Sequence, residues 1–215
     1  MADAGRVIAG SARGVRLKAP KSDARPMADR VKQTLFAILE PELRGRAFLD
    51  LFAGSGAGGI EALSRGADRA VLVDREREAV ATIEANLRAA RFEEPRARIA
   101  RADALAWLAD AGARSGPFAV ILLDPPYDQP ELLRAALAAI AAAGPDGILA
   151  ADGVAVAKHF WRDAPEPARD APGPAKHQPA APVNVRPAAP GGLLASVRER
   201  RFGETALTFH RWEAG

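Results

Sequence analysis

"AFLDLFAGSGAGGIEALSRG", residues 47–66, passes from a short apolar run through a cluster of glycines into a helix-like segment that Gly66 can terminate. The run before Gly54 reads as a buried strand. Gly54, Gly56 and Gly59 then stand in G-x-G-x-x-G spacing between strand and helix. Glycines there allow a tight turn and let a ligand approach backbone N–H groups at the helix start. The spacing alone also describes a packing turn; its strand-to-helix context points to a nucleotide-like cofactor.

The same pattern repeats outward. "RAVLVDRE" is followed by the helical "REAVATIEANLRAARF", "RARIARAD" by "ALAWLADAG", and "FAVILLD" by "PELLRAALAAIAAAG", while "GVAVAKHF" (153–160) makes a fifth strand. Apolar runs separated by helices imply parallel strands covered on both faces. Upstream, residues 6–9 and 14–18 are β-prone around "GSARG", a small hairpin. "PMADRVKQTLFAILEPEL" (26–43) spaces Met27, Val31, Leu35, Ile38 and Leu39 as an amphipathic helix, with Pro41 near its end.

Downstream, residues 163–192 hold eight prolines, eight alanines and three glycines among thirty residues, a composition read as a flexible insertion without helix or ladder. "LLASVRERRFGETALTFHRW" (193–212) then reads as an antiparallel hairpin turning near "FGET" on the sheet edge. The expected fold is α/β: a doubly wound, mostly parallel seven-stranded sheet with an N-terminal basic hairpin and helix and a C-terminal antiparallel hairpin. Its expected divisions are residues 1–46, a core over 47–162, the insertion 163–192, and closing strands over 193–215.

Composition limits the alternatives. At 215 residues and 48% hydrophobic the chain can bury one sizeable core. It has no cysteine, which excludes disulfides, thiolate zinc sites and a cysteine nucleophile. His159, His177 and His210 lack ligand spacing, so no metal site is expected. No apolar run approaches the roughly 18 residues of a membrane span, and "MADAGRVIAG" lacks the apolar region of a signal peptide, so a cytoplasmic protein is expected. The net charge of +3 is unevenly spread: residues 1–46 hold ten Lys/Arg against five Asp/Glu. "RVIAGSARGVRLKAPKSDARP" carries six of these cations, among them Arg6, Arg13, Arg16, Lys18 and Arg25, and reads as a phosphate-contacting arm.

In an open parallel sheet, ligands bind beyond the carboxyl ends of the strands. Asp74 ends the second strand twenty residues after Gly54, where an acid grips a ribose diol. Asp103 ends the third, either to accept from an adenine amino group, to N-cap "ALAWLADA", or both. These features do not separate a dinucleotide from S-adenosylmethionine. The fourth strand does, because it ends in "DPPY". Asp124 precedes proline and is pushed extended toward the cleft. Pro125 and Pro126 stiffen the loop and leave carbonyls as acceptors, and Tyr127 offers a π-face. Two acceptors and a stacking plate suit a planar base bearing an exocyclic amine, which would donate to Asp124 and the Pro125 carbonyl.

Those residues resemble the class I S-adenosylmethionine-dependent methyltransferases of exocyclic amines. "RVIAGSARGVRL", "RPMADRVKQTLF", "GIEALSRGA" and "RRFGETALTFHRW" further resemble the RsmD family, which methylates a guanine N2 in bacterial 16S ribosomal RNA. The resemblance spans residues 5–160 and 193–212 and implies a Rossmann-like methyltransferase fold. It implies that "LFAGSG" holds the methionine part of the cofactor, with Asp50, Phe52, Ala53, Gly54 and Gly56 in contact, Asp74 its ribose, and Asp103 with Ala104 its adenine. It places the target guanine at Asp124, Pro125, Pro126 and Tyr127, and puts residues 25–30, with Arg25 and Arg30, beside the active site. The implied partner is 16S ribosomal RNA within a small-subunit particle, bound by a monomer. Two positions depart from the family: Met27 stands where threonine is common, and Lys158 where an acid is usual. "DPPY" is shared with adenine-N6 methyltransferases, so that reading, a nicotinamide-dependent oxidoreductase and a non-catalytic RNA-binding module remain as rivals.

Overall fold

The structure is a computed structural model and describes residues 3–21, 27–163, 184–185 and 193–213. Among the described residues, ten strands and six α-helices follow in chain order. An arm carries β1 (Asp3–Arg6) and β2 (Arg16–Lys18) and leads to α1 (Asp29–Leu43). The alternating core is β3 (Ala47–Leu51), α2 (Ala57–Ser64), β4 (Arg69–Asp74), α3 (Arg77–Ala90), β5 (Ala97–Arg101), α4 (Ala104–Trp107), α5 (Ala113–Ser115), β6 (Phe118–Leu123), α6 (Pro130–Ala143) and β7 (Leu149–Phe160). The closing strands are β8 (Asn184–Val185), β9 (Leu194–Phe202) and β10 (Thr205–Trp212).

The main sheet runs β5-β4-β3-β6-β7-β10-β9-β8. Its first five strands are parallel, and β10 and β9 add antiparallel beside β7. The doubly wound sheet expected from the sequence is therefore present. All six residues of β6 are buried, as a strand covered on both faces requires. One face packs against the arm, α1, α2 and α3, and the other against α4 and α6. β9 and β10 are joined by Gly203-Glu204, with Gly203 at φ +60 in the manner of a type II′ turn.

Several boundaries differ from the sequence reading. β1 lies at Asp3–Arg6 rather than 6–9, because the N–H groups of Ile8 and Ala9 donate to Glu61 on α2 instead of joining a ladder. Helix α1 continues two residues past Pro41 and starts after Met27, and its buried face includes Lys32 and Phe36. The helix after Asp103 is broken by a π turn, Leu108–Gly112. Two-residue β8 pairs with Leu194 and Ala195, a short ladder inside the stretch expected to carry none. The rest of the insertion lies outside the described residues apart from its first, Asp163, which ends a 3₁₀ turn.

Candidate active site

The carboxyl ends of β3 and β6 are neighbours whose following helices turn to opposite sides of the sheet, the switch point at which open α/β sheets bind ligands. The loop after β3 is tightly wound: Phe52, Gly54 and Gly56 all have positive φ, at 75, 54 and 75°. Gly56 caps α2 in the left-handed region that favours glycine. Phe52 tolerates it because its N–H and that of Ala53 both donate to the Val73 carbonyl, at 3.1 and 2.9 Å. Gly59 serves packing, since a Cβ there would sit 2.8 Å from the Leu72 side chain.

The glycine N–H groups do not wait for a ligand, contrary to the expectation from spacing. Gly54 donates to Asp74 Oδ2 at 2.8 Å, Gly56 to the Ala53 carbonyl at 2.7 Å, and Gly59 to Asp50 Oδ2 at 2.7 Å. Asp50 thus puts a carboxylate of the protein itself at the start of α2, where a dinucleotide-binding loop would receive pyrophosphate. Asp50 is buried, and burial pushes its pKa up to about 7, with Asp124 and Asp74 adding to the push against the Gly59 hydrogen bond.

Asp74 is half-buried; its Oδ1 accepts from the Glu76 N–H at 2.9 Å, which fixes the carboxylate at the strand end. Asp103 Oδ1 accepts from Leu105 and Ala106 N–H at 3.0 and 3.1 Å, so it is the N-cap of α4, and its exposed Oδ2 remains for another donor. Ala53 and Ala104 are buried beside these two acids.

At the end of β6, Asp124 meets a partner that spacing did not reveal. Lys158 on β7 donates from Nζ to Asp124 Oδ1 at 2.6 Å, with its side chain 7% exposed. Parallel register pairs Leu123 with Ala157, so the next residues along both strands stand together. Burial raises the pKa of Asp124 above the usual carboxylate range, and Lys158 opposes that rise. Burial pulls Lys158 down, yet Asp124 beside it leaves its pKa above the ordinary value, so it is charged at neutral pH. Of the two carbonyls expected to stay available, that of Pro126 accepts from Gln129 N–H at 3.1 Å; that of Pro125 accepts no hydrogen bond among the described residues. Tyr127 is 40% exposed, its hydroxyl 3.0 Å from Thr205 Oγ1. Lys158 Nζ lies 4.6 Å from the Tyr127 ring centre, and Phe160 meets the ring edge-on at 6.4 Å.

The basic arm is docked rather than loose. Glu61 accepts from Ile8 and Ala9 N–H, Ser64 Oγ accepts from Ala12 N–H at 2.9 Å, and Asn86 exchanges two hydrogen bonds with the Lys18 backbone. Lys32 Nζ donates to the Arg6 carbonyl at 2.6 Å. Arg6, Arg13, Arg16, Lys18 and Arg30 remain exposed. Arg6 and Arg16 pair with Asp29 and Asp3 at 3.8 and 3.5 Å. Arg25 lies outside the described residues.

This architecture has close relatives among known proteins. The family model described as "Conserved hypothetical protein 95" matches residues 5–167. The Bacillus subtilis protein named "Putative rRNA methyltransferase YlbH" is 41% identical over 155 residues, covering 72% of this chain and 82% of that protein. Escherichia coli "Ribosomal RNA small subunit methyltransferase D" is 40% identical over 123 residues, 57% of this chain and 60% of its own length. Among solved structures, Escherichia coli yhhF superposes with TM-score 0.73 at 28% identity, covering 98% of each chain. The hypothetical protein TTHA0928 of Thermus thermophilus does so with TM-score 0.69 at 33% identity, covering 96% of this chain and 98% of that one. The chain belongs to the Conserved hypothetical protein 95 family, the family of RsmD that its glycine loop, "DPPY" turn and terminal segments resemble.

Proposed function

We propose that this chain transfers the methyl group of S-adenosylmethionine to the exocyclic N2 amine of a guanine in small-subunit ribosomal RNA. The observation that carries the chemistry is the Asp124 carboxylate at the switch point, pinned through Oδ1 by Lys158, with the Tyr127 ring beside it. The names of the relatives supply the class of substrate.

The cleft fits a sulfonium cofactor better than a dinucleotide. Its glycine N–H groups are satisfied internally, and with Asp124 neutralised by Lys158, Asp74 and the ionised form of Asp50 give it an acidic lining, which repels a pyrophosphate and favours a cation. Asp50, Phe52, Ala53, Gly54 and Gly56 would hold the methionine part, Asp74 the ribose hydroxyls, and Asp103 with Ala104 the adenine. S-adenosylmethionine supplies a methyl group already activated by the positive charge on sulfur. The chain's own work is positioning: Asp124 Oδ2 and the Pro125 carbonyl accept from the guanine amine, which turns its lone pair toward the methyl carbon. Asp124 stabilises the positive charge that develops on nitrogen. Tyr127, held by Thr205, fixes the plane of the base.

The test is transfer of labelled methyl to naked 16S RNA, free small subunits and partly assembled particles, with the modified nucleoside identified after digestion. N2-methylguanosine in any of them supports the reading; N6-methyladenosine would replace it with the adenine alternative, and no transfer to RNA would overturn it. Asp124→Asn is the matching control, because it keeps the shape beside Lys158 and removes the charge.

A further inference from the structure

The arginines of β9 and the aromatic residue that follows β7 have no part in the site just described. The β9–β10 turn lies at the same end of the sheet as the "DPPY" loop: Thr205 pairs with Phe160 on one side and Phe202 on the other, and its hydroxyl meets Tyr127. Just beyond Phe160, the Trp161 N–H donates to the Glu204 carbonyl at 2.9 Å, which ties the two turns together. On that frame the Arg201 guanidinium lies 3.6 Å from the centre of the Trp161 ring, and its Nε donates to the Gly203 carbonyl at 3.1 Å. Arg162 approaches the same ring at 5.2 Å.

Strand alternation sends Arg201 to one face and Arg200 to the other. Arg200 is opposite Leu207, which is opposite Lys158, so it shares the face of the Asp124–Lys158 pair two strands away, about 10 Å by ordinary strand spacing. Arg162, Arg200 and Arg201 are all exposed, and none meets a carboxylate at ion-pair distance among the described residues. Charged side chains on an outer strand also guard against edge pairing. Guarding requires only exposure; it does not require a guanidinium held 3.6 Å from the centre of an indole and bonded to a turn carbonyl. A fixed guanidinium plane over an aromatic ring is a surface on which unpaired RNA bases stack, and loose arginines nearby take phosphates.

We propose that the β9–β10 turn is a second RNA-contacting surface, in which the Trp161–Arg201 stack receives an unpaired base flanking the target guanine and Arg200 contacts the adjoining phosphate. The proposal rests on the RNA-methylation reading and adds to it a contact with the RNA beside the target base.

The experiment uses the full chain and two readouts, methyl transfer to the RNA substrate and salt-dependent binding of an unstructured, fluorescently labelled RNA oligonucleotide. Arg201→Ala and Trp161→Ala should each weaken oligonucleotide binding at least about fivefold and raise the KM for RNA more than they lower kcat. Calorimetric affinity for S-adenosylmethionine should stay within about twofold in both. Arg200→Ala should lower the salt slope of binding by about 1. Should Trp161→Ala lose cofactor binding along with RNA binding, Arg201→Ala and Arg201→Lys decide alone, since the lysine keeps the charge and loses the flat stack. Variants that bind and turn over RNA like the wild type overturn this surface and leave the methylation reading standing. Absence of methyl transfer by the wild-type protein overturns that reading first, and this one with it.

Discussion

Lys158 Nζ sits 2.6 Å from Asp124 Oδ1 and 4.6 Å from the centre of the Tyr127 ring, so one ammonium braces both the carboxylate and the aromatic ring of the "DPPY" turn. Burial raises the pKa of Asp124 and Lys158 restrains that rise. Asp50 is coupled to the same carboxylate, and the hydroxyl of Tyr127 interacts with the ammonium. Without the ammonium, Asp124 holds its proton to higher pH, and the neutral carboxyl accepts from an amine only weakly and offers no charge to stabilise it. We expect Lys158→Met to move the acid limb of the kcat–pH profile upward and to lower kcat at neutral pH by on the order of a hundredfold. Lys158→Arg should recover part of both. A Lys158→Met profile that superimposes on the wild type would reduce Lys158 to a space-filling role.

Asp50 should couple cofactor binding to protons. Its pKa in the folded protein is about 7, raised by burial from the usual 3.8. For a raised carboxyl group the stabilising contribution is complete below about pH 4 and is lost as pH climbs through 7. A bound sulfonium favours the carboxylate, so binding at pH 6 should release a proton, and affinity should rise with pH up to about 7. Asp50→Asn can still accept from Gly59, but it should bind on the order of tenfold more weakly above pH 7 and show a flatter pH dependence. Calorimetry in two buffers of different ionisation enthalpy measures the proton directly; equal release by the variant would assign it elsewhere.

The main sheet was legible because strands covered on both faces read as unbroken apolar runs, and β6 is the clearest case. The acids at the strand ends were legible for the same reason, since each interrupts such a run. The partners of those acids were not. Lys158 stands beside Asp124 only because β6 and β7 are adjacent and in the register that pairs Leu123 with Ala157, information carried by topology rather than by either segment. The glycine spacing suggested N–H groups awaiting a ligand, but the acceptors that satisfy them, Asp50 and Asp74, come from the ends of two different strands. Glu61, Ser64 and Asn86 look like solvent-facing helix residues until the arm lies over them and its backbone consumes their polar atoms.

That docking separates two roles of the arm. Ala4, Val7, Ala12, Leu17 and Ala19 are buried in the core, so truncating the arm would disturb the fold as well as the RNA contacts proposed for it. Glu61 is fully buried and accepts from Ile8, Ala9 and Arg65. Glu61→Ala should therefore destabilise the protein by about 2–4 kcal/mol in urea unfolding, because it strands two N–H groups and leaves the Arg65 guanidinium with Glu40 as its remaining acid. Arg13→Ala and Arg16→Ala change exposed side chains and should stay within about 0.5 kcal/mol of the wild type. Each should lower the salt slope of RNA binding by about 1. Unchanged slopes in both would remove the arm from the RNA interface.

His210 should govern how the fold responds to acid. It is fully buried on β10, and neither ring nitrogen has a hydrogen-bond partner among the described residues, whereas neighbouring His159 bonds Thr208 at 2.7 Å. Burial, with His159 adding, pulls the His210 pKa down to about 4 from 6.5. A depressed histidine contributes stability that is present above pH 6.5 and lost as pH falls toward 4. Asp50 works in the opposite sense over nearly the same window, so the two contributions offset each other in the wild type. His210→Leu removes the histidine side of that balance and two unpaired polar atoms at once. At pH 7.5 it should raise the Tm by about 2–4 °C, the effect of roughly 1 kcal/mol in a chain of this size. On acidification from pH 7 to 5 the variant should gain stability relative to the wild type, because the histidine loss is gone while the raised carboxyl groups contribute alike in both proteins. If urea unfolding at the two pH values shows the same acid loss in both proteins, His210 is not the group that titrates.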